Sequence, residues 1–135
     1  MSVFKQLESL ETGQSMKHSG VVGQMPWNQD GWLPAIAQQF DSKEVLMMAW
    51  MNRDSLLETL ETGRVCYWSR SRQQYWRKGE SSGQVQVLKE MRLDCDGDTI
   101  LLLVDQTGPA CHTGRRDCFY NKIDGDQVVV DKAPI

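Results

Sequence analysis

The 135-residue chain contains no long apolar run: the longest clean one, residues 45–51, has seven residues, against the roughly 18 that a membrane-crossing helix needs. It also has no apolar stretch at its start, where MSVFKQLESLETGQ is broken throughout by polar groups. A secretory signal peptide is therefore not expected, and the expected location is cytoplasmic. Nor does the chain carry an excess of positive charge. Fifteen basic against eighteen acidic side chains give a formal net charge of -3, which argues against a general nucleic-acid binder held by counterion release. Internal repeats and low-complexity tracts are absent too. With no export signal, the four cysteines, Cys66, Cys95, Cys111 and Cys118, point away from a disulfide framework and toward a metal site or a reactive thiol.

What is present suits one compact core. Apolar residues make up 40% and charged residues 24% of the chain, an ordinary globular balance at a length too short for two domains. A single domain over residues 1–135 is expected, with residues 1–19 forming a short helix or an arm outside the core. WLPAIAQQF and VLMMAWM flank DSKE and read as a hairpin. NRDSLLETLETG is the most helical segment, with Asn52 or Asp54 as cap, Leu56, Leu57 and Leu60 as apolar stripe and Gly63 as stop. RVCYWS, QVQVLKEMRLDC and DTILLLVDQ read as strands. The last two are joined by a DG turn at Asp96 and Gly97, and DCFYNKI and DQVVVD are joined in the same way at Asp124 and Gly125. The expected class is α+β: a small, strand-rich, mixed-sheet domain with one main helix.

Cys111 and Cys118 are separated by seven positions, and Cys95 lies sixteen before Cys111. The sulfurs of a tetrahedral zinc site lie about 4 Å apart. A helix would separate Cys111 from Cys118 by about 10 Å, and a strand would separate them further and turn them to opposite faces. HTGRRD between them must therefore fold back, with Gly114 as a plausible bend. Three thiolates leave a zinc coordination position for water, as in a catalytic site. Unligated core thiols are the other reading of the same spacing, and Cys66, inside a strand pattern, reads as a buried bystander or else as a fourth ligand. Asp94, Asp96 and Asp98 would share one face of an extended segment as hard-ion ligands, or would decorate a solvated turn. His112, adjacent to Cys111, is a candidate proton carrier or else a surface histidine.

The positive charge is locally concentrated. RVCYWSRSRQQYWRK, residues 64–78, holds five basic and no acidic residues, with aromatic side chains interleaved. It reads as a solvated face, an aromatic platform for a base, or a cradle for a small anion.

The runs YWSRSRQQYWRKGESSG, LDCDGD and ACHTGRRDCFY, occurring together and in this order, closely resemble phosphoribosyl-AMP cyclohydrolases of histidine biosynthesis, over roughly residues 20–123. The resemblance implies hydrolytic opening of the adenine ring of 1-(5-phosphoribosyl)-AMP between N1 and C6, in the single-activity form of the enzyme. It also implies an intertwined homodimer in which Cys95 of one subunit joins Cys111 and Cys118 of the other around Zn²⁺, while Asp94, Asp96 and Asp98 hold Mg²⁺. Zinc lowers the pKa of its water from 15.7 toward about 7, and His112 becomes the expected proton shuttle. The substrate carries two phosphate monoesters, so Arg70, Arg72 and Lys78, with the Ser69 and Ser71 hydroxyls, become the expected phosphate contacts.

Overall fold

Alternating apolar residues in LPAIAQQ put Leu33, Ala35, Ala37 and Gln39 on one buried face of strand β1 (Leu33–Gln39). In the computed structural model, which describes residues 2–135, β1 is an interior strand. It pairs antiparallel with β2 (Val45–Met51) and parallel with β6 (Ile100–Gln106), and β5 (Gln86–Leu93) completes the mixed sheet in the order β2-β1-β6-β5. β6 is buried at Ile100, Leu102, Leu103 and Val104. That continuous burial, rather than alternation, is what a strand covered on both faces requires. A bulge between Leu88 and Glu90 shifts the register of β5 against β6.

Helix α3 (Arg53–Thr62) starts and stops where its capping residues dictate. Asn52 accepts from the Ser55 amide at 2.8 Å while the Asn52 amide donates to the Ser55 hydroxyl at 3.0 Å. Gly63 ends the helix at φ 74, a conformation that favours glycine. Its buried face differs from the expected leucine stripe: Ser55, Leu56 and Thr59 are buried and Leu60 is exposed. The cause is the neighbouring strand β3 (Cys66–Ser69). The Thr59 hydroxyl donates to the Ser55 carbonyl and accepts from the Cys66 amide at 2.9 Å, so small polar side chains let helix and strand close together. Leu56, fully buried, contributes about 1.5–3 kcal/mol by leaving water.

β3 pairs with β4 (Gln74–Arg77), formed by part of the basic stretch, and β7 (Asn121–Asp124) with β8 (Gln127–Val130), as two separate hairpins. Short helix α2 (Ser19–Val22) buries Val21 and Val22. The start of the chain corrects the expectation of an arm outside the core: α1 (Val3–Glu8), capped by Ser2, buries Val3 and Phe4 in the main cluster. Phe4 lies against Gly97, where a Cβ would run into its ring. Among the described residues no helix is long and apolar enough to cross a membrane.

Candidate active site

The segment after β6 folds back as its cysteine spacing requires. The Ala110 amide donates to the Arg116 carbonyl at 3.0 Å and the Cys111 amide to the Arg115 carbonyl at 3.2 Å, around Gly114 at φ 85. The Cys118 amide is anchored to Leu46 of β2 at 2.8 Å. The Arg116 guanidinium clamps the turn, donating to the carbonyls of Gln106 (3.1 Å) and Gly108 (2.8 Å) and to Glu44 (3.2 Å). Cys111 and Cys118 are thereby brought into direct interaction. Burial opposes ionisation of Cys111, but hydrogen bonds from the Thr113 hydroxyl, at 3.1 Å, and amide and from Cys118 outweigh it, and its thiol is held below the ordinary value. Burial pushes the Cys118 thiol up to about 11, with the neighbouring Cys111 charge adding to it. In such a pair Cys111 is the more readily ionised thiol and Cys118 the less readily ionised one. A dication placed between them favours loss of the second proton, so this donor set fits a soft divalent metal.

Cys95 is exposed and lies at the other end of β6, in the turn between β5 and β6. At about 3.3 Å per residue, seven-residue β6 spans about 20 Å from that turn to the start of the segment that leads into the cysteine loop. The same turn gathers the acidic residues. Asp94, Asp96 and Asp98 present oxygens within 4.8 Å of one another, the one such cluster of three or more acidic, cysteine or histidine residues among those described. They meet in the turn expected at Asp96 and Gly97 rather than along an extended segment, the other reading of the same residues: the Asp94 carboxylate accepts from the Asp98 amide at 2.9 Å, and Gly97 sits at φ 73. Asp98 is pushed up to about 6 by its hydrogen bond to Asp94, by burial and by Asp96. For Asp94 burial opposes ionisation, but the hydrogen bonds from the Asp98 side chain and the Asp98 and Thr99 amides hold it below the usual carboxylate range. Three carboxylates with oxygens at this separation suit a hard cation.

The β3–β4 hairpin builds the rest. A cavity of about 670 Å³ is lined by Ser69, Ser71, Arg72, Lys78, Ser81, Ser82 and, from the cysteine loop, His112. Lys78 is half-buried, and burial lowers its pKa from the ordinary value against the opposing pull of Cys118 and Cys111, so its ammonium group lies on the cysteine side of this cavity. Arg70 points elsewhere. Its guanidinium stands 4.4 Å from the centroid of Trp50 in a second cavity of about 520 Å³ that Trp32, Trp68 and Trp76 also line. The structure thus brings His112, Arg72, Lys78 and the serines together beside the Cys111–Cys118 pair, and separates Arg70 and Cys95 from them.

The family model for phosphoribosyl-AMP cyclohydrolase matches residues 47–120, a span that includes the hairpin, the acidic turn and the cysteine loop. The chain belongs to the phosphoribosyl-AMP cyclohydrolase family. Relatives bearing that name include one from Alkalilimnicola ehrlichii, 67% identical over 98% of this chain and 93% of its own. Another, from Hydrogenovibrio crunogenus, is 66% identical over 98% of this chain and 90% of its own. A cyclohydrolase from Magnetococcus marinus is 70% identical over 71% of this chain and 74% of its own.

Within this cyclohydrolase fold, several supporting residues escape sequence reasoning. Thr113, Arg116 and Asp117 lie inside the HTGRRD run, yet no local pattern says that Thr113 bonds the Cys111 sulfur or that buried Asp117 pairs with Lys132 at 2.9 Å. Trp32 and Trp50, the platform for Arg70, lie far from it in sequence. Cys66 behaves as the bystander expected of it, fully buried with its thiol pushed up to about 12 by burial and by Glu58.

Proposed function

We propose that this chain opens the adenine ring of 1-(5-phosphoribosyl)-AMP between N1 and C6 as a homodimer, at zinc sites made by Cys95 of one subunit and Cys111 and Cys118 of the other. The observation that carries this reading is the Cys111–Cys118 pair, whose chain neighbour His112 lines a cavity together with Arg72 and Lys78. Support for sharing comes from Cys95, which a whole strand separates from that pair within one chain. Zinc, when bound there, supplies water activated for attack near neutral pH.

The chain's own residues then have separable tasks. Cys111 enters metal binding already inclined to ionise, through the Thr113 hydrogen bond. His112, at the cavity wall next to Cys111, takes a proton as water attacks C6 or gives one to N1 as the ring opens. Arg72 and Lys78 hold phosphate, Arg72 through paired donors and Lys78 as a compact charge, with Ser69 and Ser71 assisting and Arg70 acting from the neighbouring cavity. Asp94, Asp96 and Asp98 would hold Mg²⁺, which neutralises charge near a substrate phosphate. The four free thiols suit the reducing cytoplasm, where we place the enzyme.

Hydrolysis of phosphoribosyl-AMP, followed with zinc stripped and restored, tests the reading. Activity should vanish and return with the metal, and unchanged turnover without zinc would sink it. His112→Ala should keep zinc and slow turnover by about 10²–10⁴-fold. Mixing refolded Cys95→Ala and Cys118→Ala chains tests the shared site. Half the dimers are mixed and each has one intact site, so about a quarter of wild-type activity should reappear in a two-fold symmetric pair. A site contained in one chain would recover none.

A further inference from the structure

The basic stretch is continuous in sequence but divides in space. The β3–β4 hairpin tip sends Arg70 into the tryptophan-lined cavity, between Trp50 at 4.4 Å and Trp32 at 5.8 Å from the guanidinium carbon. Two residues on, Arg72 lines the polar cavity with Lys78 and His112. Ser69, Ser71 and Trp76 line both, so the two hollows meet at the hairpin. At about 520 and 670 Å³, each falls within the size range of small-molecule sites. The substrate of the reading above, on which this inference rests, has a matching shape: one adenine ring bearing phosphoribosyl groups at N1 and at N9, on opposite sides.

The geometry points to a two-arm site in which the tryptophan cavity takes one phosphoribosyl group, with Arg70 on its phosphate, and the polar cavity takes the other, with Arg72 on its phosphate. The adenine then crosses at Trp76 and the shared serines, on the side of the polar cavity that His112 borders. A guanidinium stacked on Trp50 is held in place while its edge N–H groups stay free for a phosphate. The sugar's apolar face suits the indole walls. Trp68 also lines this cavity and adds to its indole wall.

A substrate gripped at both ends differs from a nucleotide gripped at one, and AMP, which lacks the N1 arm, is the probe. Wild type, Arg70→Met and Arg72→Met are compared for KM and kcat with phosphoribosyl-AMP and for competitive inhibition by AMP. Both substitutions should raise KM, by about 10–100-fold for a lost charge-assisted phosphate contact, with kcat changed less. Only one of them should weaken AMP inhibition to a similar extent, the other leaving it within about twofold, because AMP fills one arm site. Equal effects of the two substitutions on AMP, an unchanged KM in Arg70→Met, or wild-type enzyme that AMP does not inhibit would each overturn the two-arm site. Both arginines are exposed, so thermal midpoints should match wild type, and Arg70→Lys and Arg72→Lys should restore part of the lost affinity. Wild-type protein that does not hydrolyse phosphoribosyl-AMP would fail the cyclohydrolase reading itself, a different result from any of these.

Discussion

The acidic turn at residues 94–98 and the cysteine loop at residues 111–118 stand at opposite ends of β6, and different physics builds them. The turn closes through its own neighbours: Asp94 accepts from the Asp98 amide, and the Asp94 amide donates to the Thr99 carbonyl at 3.1 Å. Its one distant support is the start of the chain, where Phe4 of α1 fills the space beside Gly97. The loop folds back through its own amides, Ala110 to Arg116 and Cys111 to Arg115, but is also braced from afar, by Leu46, Glu44 and the end of the chain. Lys132 pairs with Asp117, the Arg115 guanidinium donates to the Lys132 carbonyl at 2.7 Å, and the Ile135 amide donates to the Gly114 carbonyl at 2.9 Å. Hard oxygen donors, with the exposed Cys95 thiol among them, thus sit on a local turn, whereas the Cys111 and Cys118 thiols sit on a loop braced by distant parts of the folded chain. A local turn can offer ligands cheaply, but two thiols held in contact in a low-dielectric setting need tertiary support.

The contrast predicts unequal responses to mutation. Cys118→Ala should have the largest effect, abolishing zinc binding and turnover while Mg²⁺ binding at the acidic turn survives, as metal analysis and calorimetry would read. Loss of both metals together would show that the two regions are not independent. Arg116→Met removes the clamp on the loop and should cost about 1.5–3 kcal/mol per lost charged hydrogen bond in denaturant unfolding, with weakened zinc affinity and unchanged Mg²⁺ affinity.

Gly97→Ala should cost about 1–3 kcal/mol through backbone strain at its positive φ, along with displacement of Phe4. Adding Phe4→Ala should recover the steric part of that loss in a double-mutant cycle, whereas strict additivity would remove Phe4 as the brace. The smallest effect concerns pH. Asp98 in the metal-free protein holds its proton up to about 6, so a proton competes with the cation below that pH. Mg²⁺ affinity should fall about twofold between pH 7 and 6 and approach tenfold per unit below. A flat profile between pH 7 and 5 would show that the Asp98 proton does not occupy the metal's place.

Legibility in the sequence follows the same division. The caps of α3, the DG turns and the hairpin around DSKE could be read because each rests on residues within a few positions of one another. The leucine stripe of α3 could not, because Thr59 faces a strand whose closeness depends on its own hydroxyl bridging to Cys66. The fold-back between Cys111 and Cys118 was legible as a necessity, yet its means, the reach of Arg116 to Glu44 across 72 positions, was not. α1 was misjudged for a related reason: two apolar residues in a polar segment look dispensable until a cavity beside Gly97 fits one of them.

The inventory was readable from the chain alone: three cysteines at metal-site spacing, three alternating acids, a basic aromatic run, a histidine next to one of those cysteines, and motifs specific enough to name the family. Who stands beside whom came from the fold. It parted Arg70 from Arg72 although they are two residues apart, joined Cys111 to Cys118, and left Cys95 beyond the far end of β6. The physical reason is that chemical identity is a property of each residue, whereas proximity is set by sheet register, turns and long-range packing that no local pattern encodes.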